Sequence, residues 1–276
     1  MNKIETYSAQ INSKLYSLLN MDILQNPYLY IDVNTYGFQG SNIQTYFATC
    51  AEKISVIIYQ YYNSIQLLVN QKELPNEQTI KEIANFIATR KVIMVSGVTS
   101  LITKLKTYLP NYKQTNGHLF EYQGKIEQKL INFPKFQWAH SEQDFERLAI
   151  FITSDSGIGS HYNIAQLKQQ LLERHQKYGC QNVFLEEDKK IIAHVGTYAC
   201  YKDLAVIGGL LVDPSQRGKG LARKIMNFIS CQCVKTFKQK PVFYCYIPAL
   251  FKFYKTCDYK EIYDCSKLEL IGDKNA

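Results

Sequence analysis

A chain of 276 residues, 46% of them hydrophobic, can bury one large core or two modest ones, and the length favours two. No run approaches the roughly eighteen apolar residues of a membrane span, and Met1-Asn-Lys-Ile-Glu lacks a charged-then-apolar signal pattern, so the expectation is a cytoplasmic protein with no membrane partner. The net charge of +8 comes from lysines dispersed among Tyr, Asn and Gln without a dense basic stripe, which argues against a nucleic-acid partner.

In chain order, Ile54–Tyr62 and Ser64–Val69 read as a hairpin turning at Asn63-Ser64. Pro75-Asn-Glu-Gln opens a helix through Arg90. Val92–Ser96 is expected to be a buried strand, after which Gly97 turns into a helix carrying Leu101, Ile102 and Leu105. A domain boundary is placed near residues 128–134, with Pro134 as punctuation. Gln137–His140 is a first strand of the second half. Ser141-Glu-Gln-Asp144 carries helix-start chemistry ahead of Phe145, Leu148, Ala149 and Ile152. Ser154–Ser160 is turn-rich. Asn163 caps a helix through Tyr178 with Ile164, Leu167, Leu171 and Leu172 on one face. Strands follow at Val183–Glu187, Ile191–Ala199 and Leu204–Val212. After a second long helix come a strand at Val242–Ile247, a short helix, and closing strands near Tyr259–Tyr263 and Lys267–Ile271.

Eight cysteines, seven of them in the second half, form no Cys-x-x-Cys pair and read as buried free thiols. Cys231 and Cys233 lie two apart on a predicted helix and so face different ways, and no metal site is expected.

The most informative stretch is Val206-Ile-Gly-Gly-Leu-Leu-Val-Asp-Pro-Ser-Gln-Arg-Gly-Lys-Gly-Leu-Ala222. It reads as a buried strand, a Gly-rich turn and the start of a helix whose apolar face begins with Leu221, Ile225, Phe228 and Ile229. A turn that opens onto a helix N-terminus gathers unpaired N–H groups and the positive end of the helix dipole, which together hold phosphate. Gly218 and Gly220 let the backbone approach an anion closely, and Arg217 and Lys219 add charge. The spacing is not that of a P-loop, because Gly218-Lys219 is followed by Gly220 and not by Ser or Thr. It is not the dinucleotide fingerprint either, because Arg223 stands where the third glycine belongs.

What the stretch does fit is Arg217-x-x-Gly220-x-Ala222 preceded by Leu210-Leu-Val-Asp-Pro214, which resembles the acetyl-CoA motif of the GNAT N-acetyltransferases. Pro241-Val-Phe-Tyr-Cys-Tyr-Ile247 resembles the next strand of that family. Pro248-Ala-Leu-Phe-Lys-Phe-Tyr-Lys-Thr-Cys-Asp-Tyr-Lys-Glu-Ile262 resembles its helix and following strand, with Tyr254 on the family's Tyr and Tyr259 on its aromatic. Lys189–Tyr198 looks like an upstream hairpin strand, so the likeness covers residues 135–272. Cys257-Asp258 departs from the usual small turn residues, and Ile247 or Pro248 from a frequent Asn.

The resemblance implies an α/β mixed sheet of the GNAT acyl-CoA N-acyltransferase fold: a catalytic C-terminal domain over 131–276 and a degenerate GNAT-like N-terminal domain over 1–130. In the N-terminal domain Gly97-Val-Thr-Ser100 stands roughly where the cofactor loop would be, without its motif. That half is therefore expected not to bind acetyl-CoA but to shape the acceptor cleft or dock to the second half. The co-substrate is acetyl-CoA. Backbone contacts to its pantetheine arm fall to Leu210 and Val212, with an N–H near Leu211 facing the carbonyl oxygen, and the pyrophosphate falls to Arg217, Gly218, Lys219, Gly220, Leu221 and Ala222. Tyr254 is the general acid for the departing thiolate. The base is open among His194, whose ordinary pKa suits the task, His161 and solvent. A lone strand histidine more often packs than reacts. The partner is a small-molecule or peptide amine, and the protein is a monomer or homodimer. The rival reading is a regulatory module that holds acetyl-CoA without transfer.

Overall fold

The computed structural model describes residues 3–90, 92–125, 135–156 and 163–272. The expected boundary at 128–134 lies outside the described residues. The chain packs as two units, and neither is a continuous stretch. Unit 1 takes Met1–Leu119, Tyr244–Pro248 and Glu261–Ala276, and unit 2 takes Phe120–Phe243 and Ala249–Lys260.

In unit 1, β1 (Lys3–Thr6) precedes α1 (Asn12–Met21) and α2 (Pro27–Tyr36). After the short β2 (Gln39–Gly40) come β3 (Ile43–Cys50), β4 (Lys53–Tyr61) and β5 (Ser64–Val69), then α3 (Glu77–Ala88), β6 (Met94–Val98), α4 (Thr99–Lys106) and β7 (Tyr112–Tyr122). The order across its sheet is β1-β3-β4-β5-β6. The pairs are antiparallel up to β5, and β5 and β6 are parallel, as a strand–helix–strand crossover requires. The 54–69 hairpin is as expected, with Tyr62 at φ +51 in its turn. Ile80, Ile83, Ala84 and Ile87 of α3 and Leu101, Ile102 and Leu105 of α4 are buried in one core with Ile58, Ile65, Leu67 and Val95. Two expectations change. The strand starts at Met94, and Gly97 lies inside it, paired with Ser266, rather than in a turn.

Unit 2 holds β8 (Phe136–Trp138), α5 (Glu142–Thr153), α6 (Ile164–Tyr178), β9 (Asn182–Glu187), β10 (Lys190–Tyr201), β11 (Leu204–Val212) and α7 (Leu221–Lys235). β12 (Lys240–Cys245) and α8 (Phe251–Lys255) follow, and the order across this sheet is β12-β11-β10-β9-β8. Ser141 and Asp144 close a capping box at α5, and the Asn163 side chain accepts from Ala165 and Gln166 N–H at α6. Each cap is worth about 1 kcal/mol. Phe145, Leu148, Leu167 and Leu171 pack on Phe184 and Ile191. Trp138 and Phe136, on the opposite face, meet Phe228 of α7. The sheet thus has helices on both sides. Ile164 leaves the predicted apolar face: it sits at the first turn of α6 and is 44% exposed.

The two closing strands are one, β13 (Tyr259–Leu270), and its Cys265–Glu269 segment pairs with β6 inside unit 1. All eight cysteines are free, and seven are buried. No described helix is long and apolar enough to cross a membrane.

Candidate functional site

The site begins where two strands part. β11 and β12 pair in parallel over Leu204–Val206 against Lys240–Val242, after which β11 runs on to Val212. Asp213 N–H donates to Ile192 O at 2.9 Å. By the alternation of a strand, the backbone groups of Leu211 then face β10, and those of Leu210 and Val212 face the gap toward β12. These are the positions a pantetheine arm would need.

A bulge interrupts β11 at the same place. His194 pairs with Leu211 and Gly196 with Gly208, so β11 spends one more residue than β10 over this interval. Gly209 absorbs it at φ +66, and a Cβ there would sit 2.1 Å from the Tyr198 hydroxyl. No other residue fits that position. A glycine pair inside a predicted strand is itself a bulge signal, and the sequence reading passed over it.

The turn after β11 is built by its own side chains. Asp213 accepts from Ser215 N–H and Oγ at 2.8 and 2.6 Å, and these bonds hold its carboxyl below the usual range. Arg217 Nε donates to Val212 O at 3.2 Å, and Lys219 Nζ to Gln216 Oε1 at 2.6 Å. Gly218 and Gly220 have φ of +81 and +74, and a Cβ on either would meet nothing within 4 Å. α7 starts at Gly220 with no side-chain cap. Its first-turn N–H groups thus receive no side-chain cap and follow directly on Arg217 and Lys219, an arrangement that suits a diphosphate. The Arg217 guanidinium also meets Asp155 at 3.4 Å. In the sequence Asp155 falls in a turn-rich loop, and no local pattern announces this ion pair. The rest of that loop, with His161, lies outside the described residues.

Tyr254 stands on α8, its ring centroid 4.3 Å from Phe243 and 5.8 Å from Phe120. Cys257 N–H closes the helix on Tyr254 O at 2.9 Å. Asp258 follows at φ +61, doing as a non-glycine what a glycine ordinarily does there. Tyr259 is buried, its hydroxyl 2.6 Å from Ser230 Oγ.

His194 is wholly buried. Its Nδ1 lies 2.9 Å from Gly209 O and its Nε2 3.0 Å from Asn182 Oδ1. Burial pushes its pKa down to about 4, against the opposing pull of the Gly209 bond. The ring is neutral near pH 7 and both nitrogens are engaged, so it is poorly placed to take a proton from an acceptor.

Residues 138–239 match the model of the acetyltransferase (GNAT) family. The chain carries a GNAT domain. Among solved structures, a GNAT-family acetyltransferase from Colwellia psychrerythraea aligns over 97% of this chain and 99% of its own, at TM-score 0.64 and 15% identity. A tandem GNAT protein from the clavulanic acid biosynthesis pathway aligns over 98% and 99%, at TM-score 0.59 and 7% identity. At such identities the likeness speaks for fold: a GNAT fold in the second half and a GNAT-like half before it. No curated protein matches the sequence.

Proposed function

We propose that the protein is an N-acetyltransferase that moves an acetyl group from acetyl-CoA to a primary amine of a small molecule or peptide in a ternary complex. The observation that carries this reading is the parted β11–β12 pair leading through Gly218 and Gly220 into the uncapped start of α7. Leu210 and Val212 offer backbone groups to the pantetheine arm. Arg217, Gly218, Lys219, Gly220, Leu221 and Ala222 hold the pyrophosphate, with Arg217 exchanging Asp155 for phosphate. Acetyl-CoA supplies an activated thioester. As the acceptor nitrogen bonds to the acetyl carbon and the C–S bond breaks, Tyr254 gives its phenolic proton to the departing sulfur, the nitrogen sheds its surplus proton to solvent, and solvent reprotonates the phenolate. The amine arrives neutral after losing its proton to solvent or to His161, since His194 is closed off. A backbone N–H beside Leu211 meets the charge that develops on the carbonyl oxygen. A cytoplasmic setting supplies the co-substrate.

The test is a thermal-shift titration with acetyl-CoA, coenzyme A and NADH on the wild type and on Gly220→Asp, followed by thiol release with an amine panel. Near a hundredfold excess over Kd, binding adds about 2.7 kcal/mol and moves the midpoint by about 2–4 °C per kcal/mol. Shifts with both coenzyme A forms, absent with NADH and lost in Gly220→Asp, support the site. Thiol release with an amine supports transfer, and binding without release favours the regulatory module.

A further inference from the structure

The sequence makes His194 a candidate base, and the structure gives it other work. A carbonyl oxygen only accepts, so the 2.9 Å contact with Gly209 O puts the imidazole proton on Nδ1. Nε2 is then a lone pair, so the Asn182 amide, whose Oδ1 is placed 3.0 Å away, must be read with its oxygen and nitrogen exchanged so that the NH2 donates to it. Asn182 is itself buried and packs over Gly196, where a Cβ would fall 2.5 Å from the amide oxygen position, so only a glycine there leaves room for the amide. A buried, doubly held imidazole therefore grips the Gly209 carbonyl, one of the two that sit in the bulge of β11.

The bulge matters because a strand's backbone groups alternate from side to side. Its extra residue sets which of them face β10 and which face the gap. A one-residue slip would turn the groups of Leu210 from the gap to β10. Tyr198 limits slippage from the same side as His194: its hydroxyl fills the space where a Gly209 Cβ would be, and His194 Cε1 lies 3.1 Å from that point.

We propose that His194 is a positioning residue: held by Asn182, it clamps Gly209 O and so locks the bulge that aims the β11 backbone at the thioester carbonyl. This rests on the acetyl-transfer reading above. The clamp acts on the acyl end of the groove and not on the phosphate turn.

Calorimetric titration of wild type, His194→Leu, His194→Asn and His194→Gln with coenzyme A and with acetyl-CoA separates the possibilities. Asn can present an NH2 where Nδ1 stood, whereas Gln places its NH2 nearer the Nε2 position. Losing one hydrogen bond to the acyl carbonyl costs about 1.4 kcal/mol, so the preference for acetyl-CoA over coenzyme A should fall about tenfold in His194→Leu and His194→Gln. Coenzyme A, which keeps the pantetheine contacts but lacks the acyl group, should lose less affinity than acetyl-CoA in each variant, and His194→Asn should recover the preference to within about threefold. The kcat for a competent amine should follow the same order. If His194→Leu does not fold, the Asn-against-Gln contrast decides. An equal preference in all variants overturns the proposal while leaving the acetyltransferase reading intact, as does a wild type with no preference. His194→Asn as impaired as His194→Leu also overturns it. A wild type that binds neither form overturns both readings.

Discussion

The two units run through the same order of elements. β1, α1, α2, β3, β4, β5, α3, β6 and α4 in the first correspond to β8, α5, α6, β9, β10, β11, α7, β12 and α8 in the second. By this correspondence the counterpart of the phosphate turn is the connection between β5 and α3, not Gly97-Val-Thr-Ser100, which ends β6 and begins α4. β5 and β6 also pair over only three residues, Ser64–Gln66 against Met94–Ser96. There the likeness stops. In unit 1 the groups past the parting point are already used: the Gln25 side chain donates to Val69 O at 3.0 Å and accepts from Val69 N–H at 2.6 Å. Asn26 donates to Leu67 O at 3.3 Å. Asn76 caps α3 by accepting from Thr79 N–H at 2.9 Å. Unit 2 leaves the start of α7 without a side-chain cap. Arg217 meets Val212 O in unit 2, so the two copies of one fold differ chiefly at the helix start, capped by Asn76 in unit 1 and without a side-chain cap in unit 2, and that difference separates a scaffold from a candidate binding site.

The comparison is tested most severely by the chemistry. Tyr254→Phe should lower kcat by about 10²–10⁴-fold and leave the KM for acetyl-CoA within a fewfold, read from steady-state thiol release. An unchanged kcat removes Tyr254 as the acid. Acid should next distinguish the units. His194 sits opposite β11, while the buried positions of β4 opposite β5 are Val56, Ile57, Ile58 and Tyr59, without a histidine. Because the folded pKa, about 4, lies below the ordinary 6.5, the unfolded chain binds the proton first. Stability is then full above about pH 6.5 and declines as pH falls toward 4, by about 3 kcal/mol in all. Denaturant melts of wild type and His194→Leu across that range should show a shallower acid slope in the variant.

Gln25→Ala should cost about 2–3 kcal/mol, because it strips partners from both buried groups of Val69. The melting temperature should drop while coenzyme A affinity stays as it was. A loss of affinity would show that unit 1 takes part in binding. Asn76→Ala is the smallest change, about 1 kcal/mol from the lost cap, again with coenzyme A affinity intact.

Much of unit 2 is legible in the sequence because its signals are local. Ser141 with Asp144, Asn163, the 3.6-residue spacing of Phe145, Leu148 and Ile152, and the glycines around Lys219 each announce themselves within a few residues. The N-terminal elements up to β3 are not announced in that way. α2 is buried on several sides, so Leu29, Tyr30, Ile31 and Val33 show no clean amphipathic period. Closing strands split at Asp264 in the reading are one strand in the structure, because pairing with β6 keeps the backbone extended through polar residues that local pattern takes for a turn.

By itself the sequence determined the helix caps, the phosphate-type turn and the order of elements that resembles the GNAT family, since these depend on neighbours a turn or two away. Only the tertiary structure decided that Gly209 is a bulge held by His194, that Asp155 meets Arg217, and that Gln25 and Asn26 occupy the backbone of β5. Each of these joins residues more than a dozen positions apart. Their side-chain polar groups find partners only after the sheet has set its register, and no local pattern records which backbone group a distant donor will reach.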